Sequence, residues 1–384
     1  MIYLPKCLLF SQNTYIIGRK NIELGKKGAD NMRKFDYNFL KNRTWDNEIL
    51  SYVAKIHEYK GKQEFYIRSK PVELERLIEI AKVQSTEASN RIEGIITTRS
   101  RLQQLMKDKT TPKNRDEEEI LGYRNVLNLI HTNYEYIPFQ SNYILQLHRD
   151  LLKYTEHSYG GKYKTTPNEI DAVLPNGEKI MLFKPLDPYE TPEAIESICH
   201  SYQIALEEEF VDPLILIPCV ILDFLCVHPF SDGNGRMSRL LTLLLLYKND
   251  YVIGKYISIE KEIADTKESY YQALSLSDDR WRIDENDPKP FIKYMLGIIL
   301  KCYREFEKRL TISEKSGAKS TAYDIVKNFA LDTIGTFTKR DVMESCPSLG
   351  SSSVELALKK LVEDKTIKRI GKGRASKYVR FDAY

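Results

Sequence analysis

Nine consecutive residues, HPFSDGNGR at 228–236, bring together the side chains of this sequence that could do the most chemistry. They stand between two apolar segments, LILIPCVILDFLCV at 214–227 and LLTLLLLY at 240–247, which have the composition of protein core. A histidine, an aspartate, an asparagine and an arginine are unusual in such surroundings. The insert is therefore the first candidate for a functional site.

The centre of the insert, DGNG at 232–235, indicates an anion site. Its residues favour turns and tolerate positive φ angles, and a long helix is predicted to begin there. Such a turn points several backbone N–H groups into one concavity, beside the partial positive charge of a helix N-terminus. Arg236 and Arg239 are three residues apart and share the helical face beyond the turn, where guanidinium groups can bind phosphate. This combination indicates more than one phosphate.

Asp232 and His228 add further chemistry to the phosphate site. A carboxylate among phosphate-binding groups is repulsive unless a cation lies between them, and Mg²⁺ is commonly held by one carboxylate and substrate phosphates. Histidine, with an ordinary pKa of about 6.5, can accept a hydroxyl proton near neutral pH. Taken singly, a structural histidine, an ordinary turn or a solvated arginine pair would each be the commoner explanation. Together they indicate nucleotide chemistry, and the sequence has no GxxxxGK[ST] motif of a P-loop NTPase.

The segment HPFSDGNGRMSR at 228–239 resembles the signature of the Fic family, HPFxDGNGRxxR, and matches it at every specified position. Three further segments are similar to parts of that family. GKYKTTPNEI at 161–170 resembles the segment before the flap, AVLPNGEKIMLF at 172–183 the flap hairpin, and EASNRIEG at 87–94 the inhibitory helix. The resemblance covers roughly residues 40–384.

The resemblance implies that the chain transfers AMP from ATP to a Ser, Thr or Tyr hydroxyl of a protein, which can be the enzyme itself, and releases pyrophosphate. His228 would then remove the hydroxyl proton, and Asp232 would hold Mg²⁺. The remaining motif residues would bind the phosphates of ATP: Gly233, Asn234 and Gly235 the α and β groups, Arg236 the β group and Arg239 the γ group. ATP and Mg²⁺ are the cofactors expected.

Ser89 and Glu93, four residues apart on one helical face, fit the family's inhibitory pattern [ST]xxxE[GN]. The resemblance implies that Glu93 pairs with Arg239 and keeps the γ-phosphate of ATP out of its productive position, so that the chain is autoinhibited. Two alternatives stay open. A glutamate beside Gly94 at a helix end is usually solvated, and some Fic enzymes use this glutamate to orient the water that removes AMP.

A Pro-Asn-Gly turn between two short β-prone runs predicts a hairpin in 172–183. The resemblance implies that this hairpin docks the target as an added strand, which brings the target hydroxyl to His228. The alternative is an ordinary surface hairpin. The residues proposed for docking flank the turn: Val173, Leu174, Ile180, Met181 and Leu182.

Helical periodicity dominates the rest of the chain. Pro71 can begin one helix and Asp212-Pro213 another, whereas Pro218 predicts a bend or a later helix start. The predicted fold class is mainly α: a Fic-type helical core with a β-hairpin flap, followed by a C-terminal winged helix-turn-helix domain. The predicted boundaries are an N-terminal extension at 1–39, which need not be well ordered, a helical region with the inhibitory helix at 40–115, the catalytic core at 116–312, a linker at 313–320 and the winged helix at 321–384.

The last region reads as helix, turn, helix and two short strands around a basic loop. Its cations are concentrated in the second helix and the strands: Lys359, Lys360, Lys365, Lys368, Arg369, Lys372, Arg374, Lys377 and Arg380. Such a pattern suits DNA phosphates, so a DNA-binding winged-helix regulator is the alternative function. Winged helices also dock proteins or form homodimers, and this reading stays open.

Bulk composition excludes several classes of protein. The 384 residues carry a net charge of +4, which gives no support to a global nucleic-acid role. Six scattered cysteines without metal-ligand spacing are expected to be reduced, which favours a cytoplasmic location. No apolar run is long enough for a transmembrane helix and no secretory signal is recognisable, so no membrane partner is expected.

Overall fold

The computed structural model describes residues 33–69, 71–156, 159–173, 179–315, 321–333, 335–346, 348–371, 373 and 376–381. The fold is mainly α, as the sequence predicts. Two compact units divide the chain: Met1–Ala54, Lys82–Val252 and Ile259–Ile298 belong to the first, and Lys55–Ala81, Ile253–Ser258 and Ile299–Tyr384 to the second. In its described part, the chain has no helix that is long and apolar enough to cross a membrane.

The α-helices of the described residues are α1 (Asn47–Ser69), α2 (Pro71–Ile92), α3 (Arg99–Met106), α4 (Arg115–Asn133), α5 (Ser141–Leu151), α6 (Thr191–Glu207), α7 (Pro213–Val227), α8 (Asn234–Lys248), α9 (Ile259–Asp265), α10 (Lys267–Ser277), α11 (Lys289–Lys315), α12 (Ala322–Asp332), α13 (Lys339–Ser345) and α14 (Ser351–Glu363). The strands are β1 (Ile170–Val173), β2 (Lys179–Phe183), β3 (Phe337–Thr338), β4 (Ile367–Ile370) and β5 (Lys377–Arg380).

The first unit is built around α7 and α8, which are apolar and buried on nearly all sides. Asp212 caps α7 by accepting a hydrogen bond from the Leu214 N–H at 2.8 Å, and Pro213 occupies the first helical position. The helix therefore begins before Pro218, which lies inside it, and the later start that Pro218 allowed is not observed. α7 packs between α6 and α8, and α8 also packs against α4.

Part of the predicted N-terminal extension contacts this core. The guanidinium of Arg33 lies 2.6 Å from the carboxylate of Asp223 on α7, and the indole of Trp281 donates to the same carboxylate at 2.7 Å. Residues 1–32 of the predicted extension lie outside the described residues.

The predicted hairpin is present as the antiparallel pair β1 and β2, with Ala172 opposite Ile180 and Val173 opposite Lys179. Met181 on β2 is exposed. Ile180 and Leu182 also lie on β2, whereas Leu174 and the rest of the turn lie outside the described residues.

The last part of the chain orders its elements as α12, β3, α13, α14, β4 and β5, and its sheet has the strand order β3-β5-β4. Thr321 and Thr338 each form a capping box, with Asp324 and Asp341 respectively. The winged-helix interpretation requires two helices followed by two strands, which correspond to α13, α14, β4 and β5 in chain order. This interpretation stays a prediction. Of the predicted linker 313–320, the first three residues belong to α11 and the others lie outside the described residues.

Candidate active site

The loop between α7 and α8 has a backbone that reverses sharply at both ends. His228 ends α7 with a φ of 50°, and Gly233 precedes α8 with a φ of 80°, where a side chain would be strained. Asn234 closes the loop, because its side chain accepts from the Phe230 N–H at 2.9 Å and donates to the Phe230 carbonyl at 2.7 Å. The asparagine side chain thus holds the loop closed at the start of α8.

His148 on α5 binds the backbone of the same loop. The Gly161 N–H donates to Nδ1 of His148 at 3.1 Å, so the ring proton is on Nε2, which donates to the carbonyl of Asp232 at 3.0 Å. The ring also stacks on Phe230 with 3.7 Å between centroids. Burial lowers the pKa of His148 to about 4, which keeps the ring neutral.

The segment that precedes the hairpin fixes the other side of the loop. The ammonium of Lys164 donates to the carbonyl of Val227 at 2.9 Å, and burial lowers its pKa to about 8. The side-chain amide of Asn168 donates to the carbonyls of His228 at 3.3 Å and Phe230 at 3.1 Å. The loop is therefore bound on both sides by residues distant in the chain.

His228 has one ring nitrogen without a proton. Its Nδ1 lies 3.2 Å from the carbonyl of Leu225, and because a carbonyl can only accept, Nδ1 carries the proton. Nε2 is then the unprotonated nitrogen. Burial lowers the pKa of His228 to about 4, and the positive charge of Lys164 acts in the same direction. The imidazole is neutral at physiological pH and can accept a proton through Nε2.

Arg239 joins α8 to the end of α2. The Arg239 guanidinium donates from Nε to the hydroxyl of Ser89 at 2.8 Å, and from Nη2 to the Ser89 carbonyl at 2.9 Å and to the carboxylate of Glu93 at 2.8 Å. The three sequence-predicted residues are thus in direct contact. Lys267 fixes the same helix end by donating to the carbonyl of Ile92 at 2.6 Å.

The Glu93 carboxylate lies over the N-terminus of α8. A Cβ atom placed on Gly235 would come within 3.0 Å of Cδ of Glu93, so the carboxylate stands directly against this glycine. Helix N-termini attract anions through their free N–H groups and dipole. Glu93 therefore places a negative charge where the sequence predicts phosphate.

Arg236 belongs to a second ionic group, of which two members, Glu119 and Arg115, were not predicted from the sequence. One terminal nitrogen of its buried guanidinium lies 2.8 Å from the carboxylate of Glu119 on α4. Glu119 also accepts from Nε of Arg115 at 2.7 Å, and Arg115 reaches the carboxylate of Asp232 at 3.3 Å. Asp232 and Arg236 are thus connected through α4.

Residues 138–246, which include this loop and both flanking helices, match the model of the Fic/DOC family. They are a Fic/DOC domain. The chain is 23% identical over 267 residues to a protein adenylyltransferase Fic of Nematostella vectensis, which covers 66% of this chain and 55% of the relative. It is 28% identical over 152 residues to a protein of the same name from Aedes aegypti, covering 40% of this chain and 26% of the relative.

Two solved structures share the fold. A Fic family protein from Desulfovibrio desulfuricans G20 superposes with a TM-score of 0.58 at 20% identity, over 88% of this chain and 97% of that one. Fic-1 (residues 134–508) from C. elegans superposes with a TM-score of 0.55 at 18% identity, over 69% of this chain and 74% of that one. The chain spans between about a quarter and just over half of the two curated relatives named above.

Asp232 is the carboxylate within the 228–236 loop that could hold a metal ion. Asp232 Oδ1 accepts from the Gly233 N–H at 2.6 Å, and Oδ2 faces Arg115. Among the described residues, no group of three or more His, Cys, Asp or Glu side chains could hold a metal by itself. A cation at Asp232 would need phosphate oxygens and water as further ligands, which fits Mg²⁺ that arrives with a nucleotide.

Proposed function

We propose that this chain transfers AMP from Mg-ATP to the hydroxyl of a protein side chain and that Glu93 restrains this activity. The observation that carries the proposal is the arrangement around the start of α8: a neutral His228 with Nε2 unprotonated, Asp232, and two buried arginines on the following helical turns. The relatives named protein adenylyltransferase support the same reaction class.

In this proposal the target hydroxyl oxygen attacks the α-phosphorus of ATP. The bond between that phosphorus and the oxygen leading to the β-phosphate breaks, pyrophosphate leaves, and the hydroxyl proton passes to Nε2 of His228. Mg²⁺, when bound at Asp232, supplies charge neutralisation between the phosphates. The exposed Met181 on β2 is consistent with a hairpin that docks the target segment.

The arginines stabilise the phosphate charge. Nε of Arg236 is buried and has no hydrogen-bond partner among the described residues, which leaves a donor for a phosphate oxygen. Nε and Nη2 of Arg239 donate to Ser89 and Glu93. A γ-phosphate can bind Arg239 only if Glu93 moves away, and a carboxylate in this place also repels the nucleotide. Inhibition therefore rests on competition between two anions for one guanidinium.

The position of a radiolabel in ATP tests which group is transferred. Glu93→Gly protein with Mg²⁺ should incorporate radiolabel from ATP labelled at the α-phosphate and none from ATP labelled at the γ-phosphate. The wild-type chain should incorporate at least about tenfold less, since one charged buried contact is commonly worth about 1.5–3 kcal/mol. Transfer of the γ-label would contradict the proposal, because it indicates a kinase.

Removal of AMP is the second reaction that this site could perform. The observation that favours it is the position of Glu93, whose carboxylate is fixed by Arg239 beside the loop and could orient a water molecule. Protein modified by the Glu93→Gly variant should then lose its AMP when incubated with wild-type chain, and this loss should require Glu93. Equal loss with wild-type and Glu93→Gly protein would exclude this role.

The basic strands β4 and β5 favour DNA binding as an additional activity. Lys368, Arg369 and Lys377 are exposed on these strands. A gel shift on duplex DNA that weakens with salt, and that Lys368→Glu with Arg369→Glu abolishes, would support it. No shift at low salt would exclude it.

A further inference from the structure

Four charged side chains form one connected group beside the phosphate site. Glu119 bonds Arg115 through one carboxylate oxygen at 2.7 Å and pairs with Arg236 through the other at 2.8 Å. Asp232 closes the group, with Oδ2 3.3 Å from Arg115 and Oδ1 3.8 Å from Arg236. Two carboxylates thus balance two guanidinium groups.

The two arginines differ in how easily they can move. Arg236 and Glu119 have side chains that are only 1% and 3% exposed, so this pair is fixed. The side chain of Arg115 is 59% exposed and that of Asp232 39% exposed. Exposed ion pairs contribute little free energy because water screens them. The contact between Arg115 and Asp232 is therefore the one that can open without unfolding the site.

Asp232 is also the carboxylate expected to hold the metal ion. A divalent cation added there alone would be placed beside Arg115 and Arg236, which repel it. A cation that arrives with a triphosphate brings negative charge with it, and this charge offsets the repulsion. In the absence of the cation, Asp232 would face the phosphates directly if Arg115 did not neutralise it.

We propose that Arg115 is a positioning residue that occupies Asp232 until the metal-nucleotide complex arrives, and then leaves this carboxylate to the cation. The inference rests on the proposed nucleotide site. Its consequence is that Arg115 sets how strongly nucleotide binding depends on Mg²⁺. Without Arg115, Asp232 keeps only the longer contact of 3.8 Å to Arg236, so its charge weakens nucleotide binding in the absence of metal, whereas binding with metal is unaffected.

Calorimetry with α,β-methylene-ATP tests this, with Glu93→Gly as the parent protein and either Mg²⁺ or EDTA in the buffer. Adding Arg115→Gln should weaken binding in EDTA by about two- to fivefold, as expected for an exposed ion pair, and leave binding in Mg²⁺ unchanged. Arg99→Gln, which removes an exposed arginine at the start of α3, is the matched control and should change neither affinity. With Asp232→Asn also present, Arg115→Gln should no longer alter the ratio of the two affinities.

An unchanged ratio in Arg115→Gln would overturn the inference. An equal loss of affinity in Mg²⁺ and EDTA would overturn it as well, because Arg115 would then be a simple phosphate contact. Failure of the Glu93→Gly parent to bind the nucleotide in either buffer would contradict the proposed function itself.

Discussion

His148 and His228 show how hydrogen-bond partners give the same residue type two different roles. Burial lowers the pKa of each to about 4, so both rings are neutral. His148 uses both nitrogens for structure, since it accepts from Gly161 and donates to Asp232. His228 uses only Nδ1 for structure, as a donor to Leu225, and keeps Nε2 as an acceptor. Of these two histidines, His228 is the one that keeps a ring nitrogen able to accept a proton.

The pH dependence of the rate tests this assignment. A base acts when it is unprotonated, and a pKa lowered to about 4 leaves His228 unprotonated well below pH 6. Glu93 raises this pKa through its negative charge, so its removal lowers the value further. We expect kcat/KM of Glu93→Gly for ATP to stay level in acid and to fall only below about pH 5. A fall centred near the ordinary histidine pKa of about 6.5 would show that His228 is not the buried base described above.

At the scale of elements, the loop between α7 and α8 is fixed in one conformation because segments distant in the chain bind its backbone. α5 contributes His148, and the segment before β1 contributes Lys164 and Asn168; all three bind backbone of the loop, and Lys164 also binds the last carbonyl of α7. Binding of this kind keeps catalytic groups in place before the substrate arrives. The rigidity of the site is therefore expected to depend on residues that do not touch the nucleotide.

Replacement of His148 tests this dependence. His148→Phe can keep the stacking on Phe230, but it removes the acceptor for Gly161 and the donor for Asp232. Two buried backbone groups without partners should lower the free energy of unfolding by about 2–4 kcal/mol and slow AMP transfer. Urea denaturation followed by fluorescence measures the loss. His148→Gln, which retains a polar group, should lose less, and equal losses in the two variants would show that the hydrogen bonds are unimportant.

The sequence predicts the ends of a helix where capping and turn residues next to those ends determine them. Asp212 and Pro213 mark the start of α7, and Gly233 marks the turn before α8. The contact between Glu93 and Arg239 joins residues far apart in the chain, and only the family resemblance could suggest it.

Four residues that complete the ionic and hydrogen-bond network were not predicted as site residues: Glu119, Arg115, His148 and Lys164. They lie on other elements, and their residue types are common on helices and in loops. Periodicity identifies the buried face of a helix, but it does not show which distant backbone group a buried side chain will meet.

At the scale of the whole molecule, neutral buried histidines make stability depend on pH. For His148 and His228 the folded-state pKa of about 4 lies below the unfolded value of about 6.5. Above about pH 6.5 both states are unprotonated and there is no penalty. Between about pH 6.5 and 4 the unfolded state binds more protons, so stability falls as pH falls. Glu117, whose pKa Arg101 lowers to about 2, adds its own loss only below about pH 4.5.

We therefore expect the free energy of unfolding to decrease steadily from pH 7 to pH 4.5, by an amount of the order of 3 kcal/mol for each of the two histidines. Urea midpoints measured across this range provide the test. His148→Gln removes one of the two titrating groups and should flatten the slope. A slope that is identical in this variant would show that His148 does not titrate as described.

Intact-mass spectrometry after incubation with ATP and Mg²⁺ tests the central claim most directly, because it identifies the transferred group and its control by Glu93 together. We predict that Glu93→Gly protein gains the mass of AMP, that wild-type protein gains little, and that Glu93→Gly with His228→Ala gains none. A gain of phosphate alone, or a gain of AMP that persists without His228, would contradict the account.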